Sequence, residues 1–120
     1  MSSTKVKIYH NPRCSKSRQT LELLKDHGVD VEVVEYLKNP PDKKELKAIL
    51  KMLDMDPREL MRKKEKEYKE AGLDDPDLTM DALINTMIKH PILIERPIVV
   101  CNGKAAIGRP PQAVLDILAH

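Results

Sequence analysis

From Lys5 to Tyr9 the chain alternates charged and apolar residues (KVKIY), a period of two that predicts a short strand. A loop, His10-Asn11-Pro12-Arg13, follows, and then a leucine-bearing helical pattern from about Ser15 to His27. Leu21 and Leu24 mark the buried stripe of that helix, and Gly28 supplies its stop. The run VDVEVVEY predicts a second strand. Two strands separated by a helix pair in parallel, so the opening third reads as a βαβ unit.

The middle of the chain is helical. NPPDKK breaks the pattern, after which Asp42 is placed to cap a helix with Glu45 three residues on; Leu46, Ile49, Leu50 and Leu53 line one face. DPRE repeats the start signal, with Asp56 as cap, Pro57 at the first helical position and Glu59 as partner. Lys63 to Glu70 is almost entirely charged and reads as a solvated helix face. Another helix begins near Thr79 and ends before Pro91; Met80, Leu83, Ile84, Met87 and Ile88 form a stripe expected in the core.

The last third changes period again. PIVVC and KAAIG flank Asn102-Gly103, a strong short-range hairpin signal. RPPQAVLDILAH then predicts a helix started by proline, with Val114, Leu115 and Leu118 facing inward. The expected fold is α/β: a mixed four-stranded sheet flanked by helices, with a helical insertion from about 42 to 90 between the βαβ and ββα halves. Residues 1–120 are expected to form one domain.

Composition narrows the functional classes. Phe and Trp are absent and only Tyr9, Tyr36 and Tyr68 are aromatic, so the core must be aliphatic. The same scarcity argues against single-stranded nucleic-acid binding by base stacking. A net charge of +2 advertises neither nucleic acid nor a membrane surface. No apolar run has the character of a signal peptide or a membrane span, and a cytoplasmic monomer is expected. Cys14 and Cys101 are then reduced thiols, and four histidines and two cysteines show no metal-ligand spacing. No bound cofactor is expected.

Candidate chemistry concentrates at Cys14. It falls where a strand has ended and a helix begins, so the unpaired amides and the dipole of the first turn face it and favour an anionic sulfur. Arg13, Lys16 and Arg18 add positive charge if they point that way. The same amides form a ready anion nest, so one turn of backbone offers both a nucleophile and a seat for a tetrahedral oxyanion. Cys14-Ser15-Lys16-Ser17 has the spacing of a CxxC redox motif with serine in second place. Without a resolving thiol beside it, Cys14 needs an outside one such as glutathione. Ser17 is a candidate to hydrogen-bond the sulfur, and His10 to orient the loop or tune the cysteine. The plainer alternative is that Cys14 is a small residue at a helix start. Cys101, at the end of an apolar strand, reads as a buried inert thiol.

YHNPRCSKSR, LMRKKEKEY, HPILIERPIVV and GRPPQAVLDIL, in that order, resemble the glutaredoxin-dependent arsenate reductase family over nearly the whole chain. The resemblance implies a thioredoxin-like fold with a helical insertion, and closest likeness to a shorter branch. It implies that Cys14 attacks arsenate, that Arg62, Arg96 and Arg109 hold the oxyanion and its thiolated intermediates, and that glutathione and glutaredoxin supply electrons. Three guanidinium forks converging on one anion make physical sense, although each arginine alone is equally a surface charge. The resemblance also implies a cis Arg96-Pro97 bond. The loop departs from well-studied members, reading Arg-Cys-Ser-Lys-Ser where they have Ala-Cys-Gly-Thr-Ser. Two rivals remain: a thiol-based regulator that binds RNA polymerase, and a general glutathione-linked thiol oxidoreductase. A cysteine phosphatase would want Cys-x5-Arg, whereas Arg18 follows Cys14 after three residues.

Overall fold

A computed structural model describes residues 5–118. The chain divides into two compact units, one formed by the residues up to Asn39 together with those from Arg96 onward, the other by Pro40–Glu95.

The first unit holds the sheet. Its strands are β1 (Lys5–His10), β2 (Asp30–Glu35), β3 (Ile98–Cys101) and β4 (Lys104–Ile107), in the order β2-β1-β3-β4. β1 and β2 run parallel, Ile8 beside Val33, joined by the crossover helix α1 (Ser15–Asp26). β3 lies antiparallel to β1, with Val99 beside Ile8, and β4 antiparallel to β3. The hairpin turns at Asn102 (φ 52°) and Gly103 (φ 76°), the pair of positive φ values that a two-residue turn matched to strand twist requires. Val6 and Ile8 share a sheet face with Val99 and Cys101, and Leu24, Val114 and Ile117 close over it. This is the mixed four-stranded, thioredoxin-like α/β arrangement that the element order predicts, with a helical segment inserted between its halves.

The end of the chain differs from expectation in phase. Pro111–Val114 winds as a 3₁₀ turn before the short helix α5 (Leu115–Leu118). In a 3₁₀ turn residues three apart eclipse, so Pro111 and Val114 are both buried, and α5 continues from there with Ile117 inward. Leu115 is left half-buried, as is Leu118, which packs on the edge of the core.

The second unit is built from α2 (Lys43–Leu53), a five-residue α3 (Lys66–Glu70) and α4 (Met80–Lys89), with 3₁₀ turns at Pro57–Leu60 and Pro91–Leu93. The caps read from the sequence are present: Asp42 accepts the Glu45 N–H at 2.7 Å, and Asp56 and Glu59 make a reciprocal box. Leu46, Ile49 and Leu50 on α2, with Leu83, Ile84 and Met87 on α4, are buried. α3 buries nothing, as its charge predicts. Met80 corrects the expected stripe: as the first residue of α4 it is 53% exposed and lines an open cleft of about 500 Å³ with Leu50 and Met55.

Candidate active site at the head of helix α1

β1 delivers the chain to its C-terminal end at His10, and the next four residues are wound tightly by their own polar groups. Asn11 does most of this. Its side-chain oxygen accepts the Arg13 N–H at 3.0 Å and its carbonyl accepts the Cys14 N–H at 3.0 Å, a turn of the kind asparagine makes with its own backbone. Cys14 is thereby set as the N-cap of α1 in extended conformation (φ −94°, ψ 122°), its carbonyl accepting the Arg18 N–H. No side-chain cap bond forms and no acidic residue stands in the first turn. Both are unusual for a helix start, where an oxygen cap and an acid are stabilising. The Cys14 sulfur therefore heads α1 without capping it.

Ser17 is fully buried and its hydroxyl is committed to the loop. It accepts the Asn11 N–H at 3.0 Å and lies 2.6 Å from His10 Nδ1. Burial pushes the His10 pKa down; Glu35 opposes this, and Arg18 and Lys25 add to it. A neutral His10 with its proton on Nε2 leaves Nδ1 to accept the Ser17 O–H, which satisfies all three groups. His10 and Ser17 thus brace the loop, and the Ser17 hydroxyl serves Nδ1 and Asn11 rather than the sulfur. Among the loop cations, Arg18 curls back to donate to the Pro12 carbonyl at 2.9 Å, while Arg13 and Lys16 are exposed.

The second wall comes from the ends of β3 and β4. Arg109 Nη2 lies 3.5 Å from Cys14 Sγ, and Arg109 Nε donates to the Arg96 carbonyl at 2.8 Å. The Arg96-Pro97 peptide is cis as expected; the Arg109-Pro110 peptide is also cis, which no motif in the sequence announces. The Gly108 N–H donates to the Pro97 carbonyl at 2.9 Å, tying the two arginine-bearing segments together. Cys14, Arg109 and the Arg96 backbone are therefore assembled in one unit, with the Arg96 side chain half-buried. Arg62 belongs to the second unit. There its backbone N–H donates to the Leu93 carbonyl at 2.7 Å, and its guanidinium pairs with Glu65 and reaches 4.0 Å from Glu95.

Three contributors went unread in the sequence: Asn11, Thr20 and Gly108. The Asn-Pro pair was a usable turn signal for the first. Thr20 and Gly108 meet across 88 residues of chain, and no local pattern announces that contact.

Cys101 is buried at 1% exposure in the sheet core, and burial pushes its thiol pKa up. β3 is antiparallel to β1, so Ile98 lies beside Tyr9 near the site and Cys101 lies at the far end of the strand. Both cysteines are free thiols. Among the described residues no group of three or more His, Cys, Asp or Glu side chains could hold a metal ion, and no helix is long and apolar enough to cross a membrane.

The chain as a whole is similar to known proteins. An arsenate reductase of Neisseria meningitidis is 53% identical over 114 residues, covering 94% of this chain and 97% of the relative. An uncharacterized protein of Escherichia coli K12, YfgD, is 60% identical over 94% of this chain and 96% of its own length. The solved structure of an arsenate reductase from Vibrio cholerae superposes with a TM-score of 0.94 at 51% identity, covering 97% of this chain and 99% of that one. The profile of the ArsC family matches residues 9–117, from the strand that leads to Cys14 through the last helix, and the chain belongs to that family.

Proposed function

We propose that the protein reduces arsenate to arsenite, with Cys14 as nucleophile and glutathione and glutaredoxin as electron donors. The observation that carries this reading is the Arg109 guanidinium 3.5 Å from the Cys14 sulfur at an uncapped helix start. An oxyanion seated on the amides of α1 would have the nucleophile beneath it and a forked cation beside it. The relatives named arsenate reductases support the choice of oxyanion.

In the first step the Cys14 thiolate displaces an oxygen of arsenate, which leaves as water after protonation, and a sulfur–arsenic(V) bond forms. Glutathione displaces a second oxygen in the same way, giving a mixed adduct. A glutaredoxin thiolate then attacks the glutathione sulfur. The sulfur–sulfur bond forms as the sulfur–arsenic bond breaks, and its electron pair stays on arsenic, which becomes arsenic(III). Water releases arsenite from Cys14. Arg109, Arg96 and Arg62 stabilise the charge on the arsenic oxygens through these steps, while His10 and Ser17 hold the loop.

An external thiol is required because Ser17 replaces a resolving cysteine and Cys101 is buried at the far end of β3. The reaction suits a reducing cytoplasm. We take residues 1–120 to act as one thioredoxin-like domain with the insertion at about 42–90, as a monomer, without nucleic-acid or membrane partners.

The test follows NADPH oxidation coupled through glutathione reductase, glutathione and glutaredoxin, with and without arsenate. Arsenate-dependent oxidation that disappears in Cys14→Ser is expected. A wild-type rate no higher with arsenate than without would sink the reading.

A further inference from the structure

We propose that Thr20 is a positioning residue of this site: its side chain is the wall against which Gly108 rests, and that contact sets where Arg109 stands relative to Cys14. The inference rests on the reading of Cys14 and Arg109 as nucleophile and anion ligand.

Thr20 is completely buried on the inward face of α1, one turn beyond Ser17 and six residues from Cys14. Its hydroxyl donates to the Lys16 carbonyl at 2.8 Å, which fixes the rotamer, and stands 3.5 Å from the Gly108 carbonyl. The approach is closer than any other side chain would allow at residue 108. A Cβ there would overlap Thr20 Oγ1, come within 3.0 Å of Thr20 Cγ2, and reach 2.8 Å from Pro97 Cγ. Gly108 is thus held between α1 and the Pro97 ring.

Arg109 follows immediately. Its N–H donates to the Ile107 carbonyl at 2.8 Å and its Nε to the Arg96 carbonyl, so the segment has few ways to shift without moving the guanidinium. The nucleophile heads α1, and its cation stands two residues beyond the end of β4. Within this unit Thr20 against Gly108 is a direct packing contact between α1 and the segment that carries Arg109, close to the chemistry. A threonine in a core position that could have been aliphatic is explained by shape: Oγ1 and Cγ2 together form a rigid two-pronged surface, pinned by the Lys16 bond.

The experiment compares alkylation of Cys14 by iodoacetate, an anion, with that by neutral iodoacetamide, read on the Cys14 peptide by mass spectrometry. Both reagents need the same thiolate, so their rate ratio reports the positive charge beside the sulfur. Removing that charge in Arg109→Ala is expected to lower the ratio about ten-fold, as for a unit cation a few ångströms from the reagent carboxylate. Thr20→Ala, which opens the wall, should lower it at least about three-fold and should have no further effect in the Arg109→Ala background. Thr20→Val, which keeps both prongs, should restore the wild-type ratio.

Thr20→Ser retains the Lys16 bond and should give an intermediate ratio, which keeps the test available if Thr20→Ala does not fold. An unchanged ratio in Thr20→Ala, or an equal fall with and without Arg109, would overturn the proposal. So would a ratio kept by Thr20→Ser and lost in Thr20→Val. Neither reagent involves arsenate, so the alkylation ratio would still decide the role of Thr20 in a chain inactive on arsenate.

Discussion

His10 Nδ1 and Ser17 Oγ stand 2.6 Å apart, joining the last residue of β1 to the first turn of α1 across the Cys14 loop. The bond wants a neutral imidazole, and burial pushes the His10 pKa below its ordinary 6.5. The unfolded chain therefore binds this proton more readily than the fold does. Stability from His10 is fully present above the ordinary histidine value and is lost as pH falls through the lowered folded value. Thermal melts from pH 8 to pH 5 should show a falling midpoint that is shallower in His10→Gln. Parallel curves for the two proteins would remove His10 from the loop's energetics.

Arg109 should be the most sensitive of the three arginines proposed to hold the oxyanion, because its guanidinium stands 3.5 Å from the Cys14 sulfur. Arg109→Ala is expected to lower kcat/KM for arsenate about 100-fold, comparable to removing one oxyanion donor. Arg109→Lys should recover only part of this, since an ammonium cannot hold the Arg96 carbonyl and an anion with one planar fork. Full activity in Arg109→Lys would mean that charge alone is used.

Gly108→Ala should destabilise the fold by about 1–3 kcal/mol, the usual penalty for forcing a methyl group into filled space. The backbone angle is not the cause; the cause is Thr20 and the Pro97 ring on either side. A shift in the urea midpoint with an unchanged slope would confirm an effect on packing. No shift would mean that α1 and the Pro97 segment can part freely.

The two thiols should be separable by reactivity. Cys14 is expected to react with a disulfide reagent in the native protein, and Cys101, buried in the sheet core with its pKa raised, only after denaturant is added. Thiol counting by absorbance should give one equivalent, then two. Two fast equivalents without denaturant would contradict the packing of β3.

What the sequence made legible follows the range of the interaction. Period-two strands, the Asn102-Gly103 turn and the Asp42–Glu45 cap are decided within a few residues, and all stand where the pattern puts them. Cys14 was readable because a strand, a short polar loop and a leucine stripe meet at it. Arg109 was not readable on its own. It reaches the sulfur across 95 residues, and only the resemblance of its motif to a family singled it out. Met80 was misplaced, and Leu115 was expected inward where Ile117 goes, for another reason: periodicity gives the face of a helix but not where a neighbour stops covering it, nor a 3₁₀ turn that alters the phase. The Thr20–Gly108 approach leaves no local trace, since a buried threonine and a loop glycine are individually ordinary.

The polar face of α1 has a consequence for anyone redesigning the chain. Ser17 and Thr20 are both at 0% exposure in a helix, and a procedure that rewards helix propensity and aliphatic packing would replace both first. Ser17→Ala would strip His10 and Asn11 of a shared partner, and a larger side chain in place of Thr20 would push against Gly108. The resulting protein could melt at a higher temperature and still have lost the alignment of Cys14 with Arg109. In this helix the substitutions that look most conservative by propensity are the ones to screen for activity before stability.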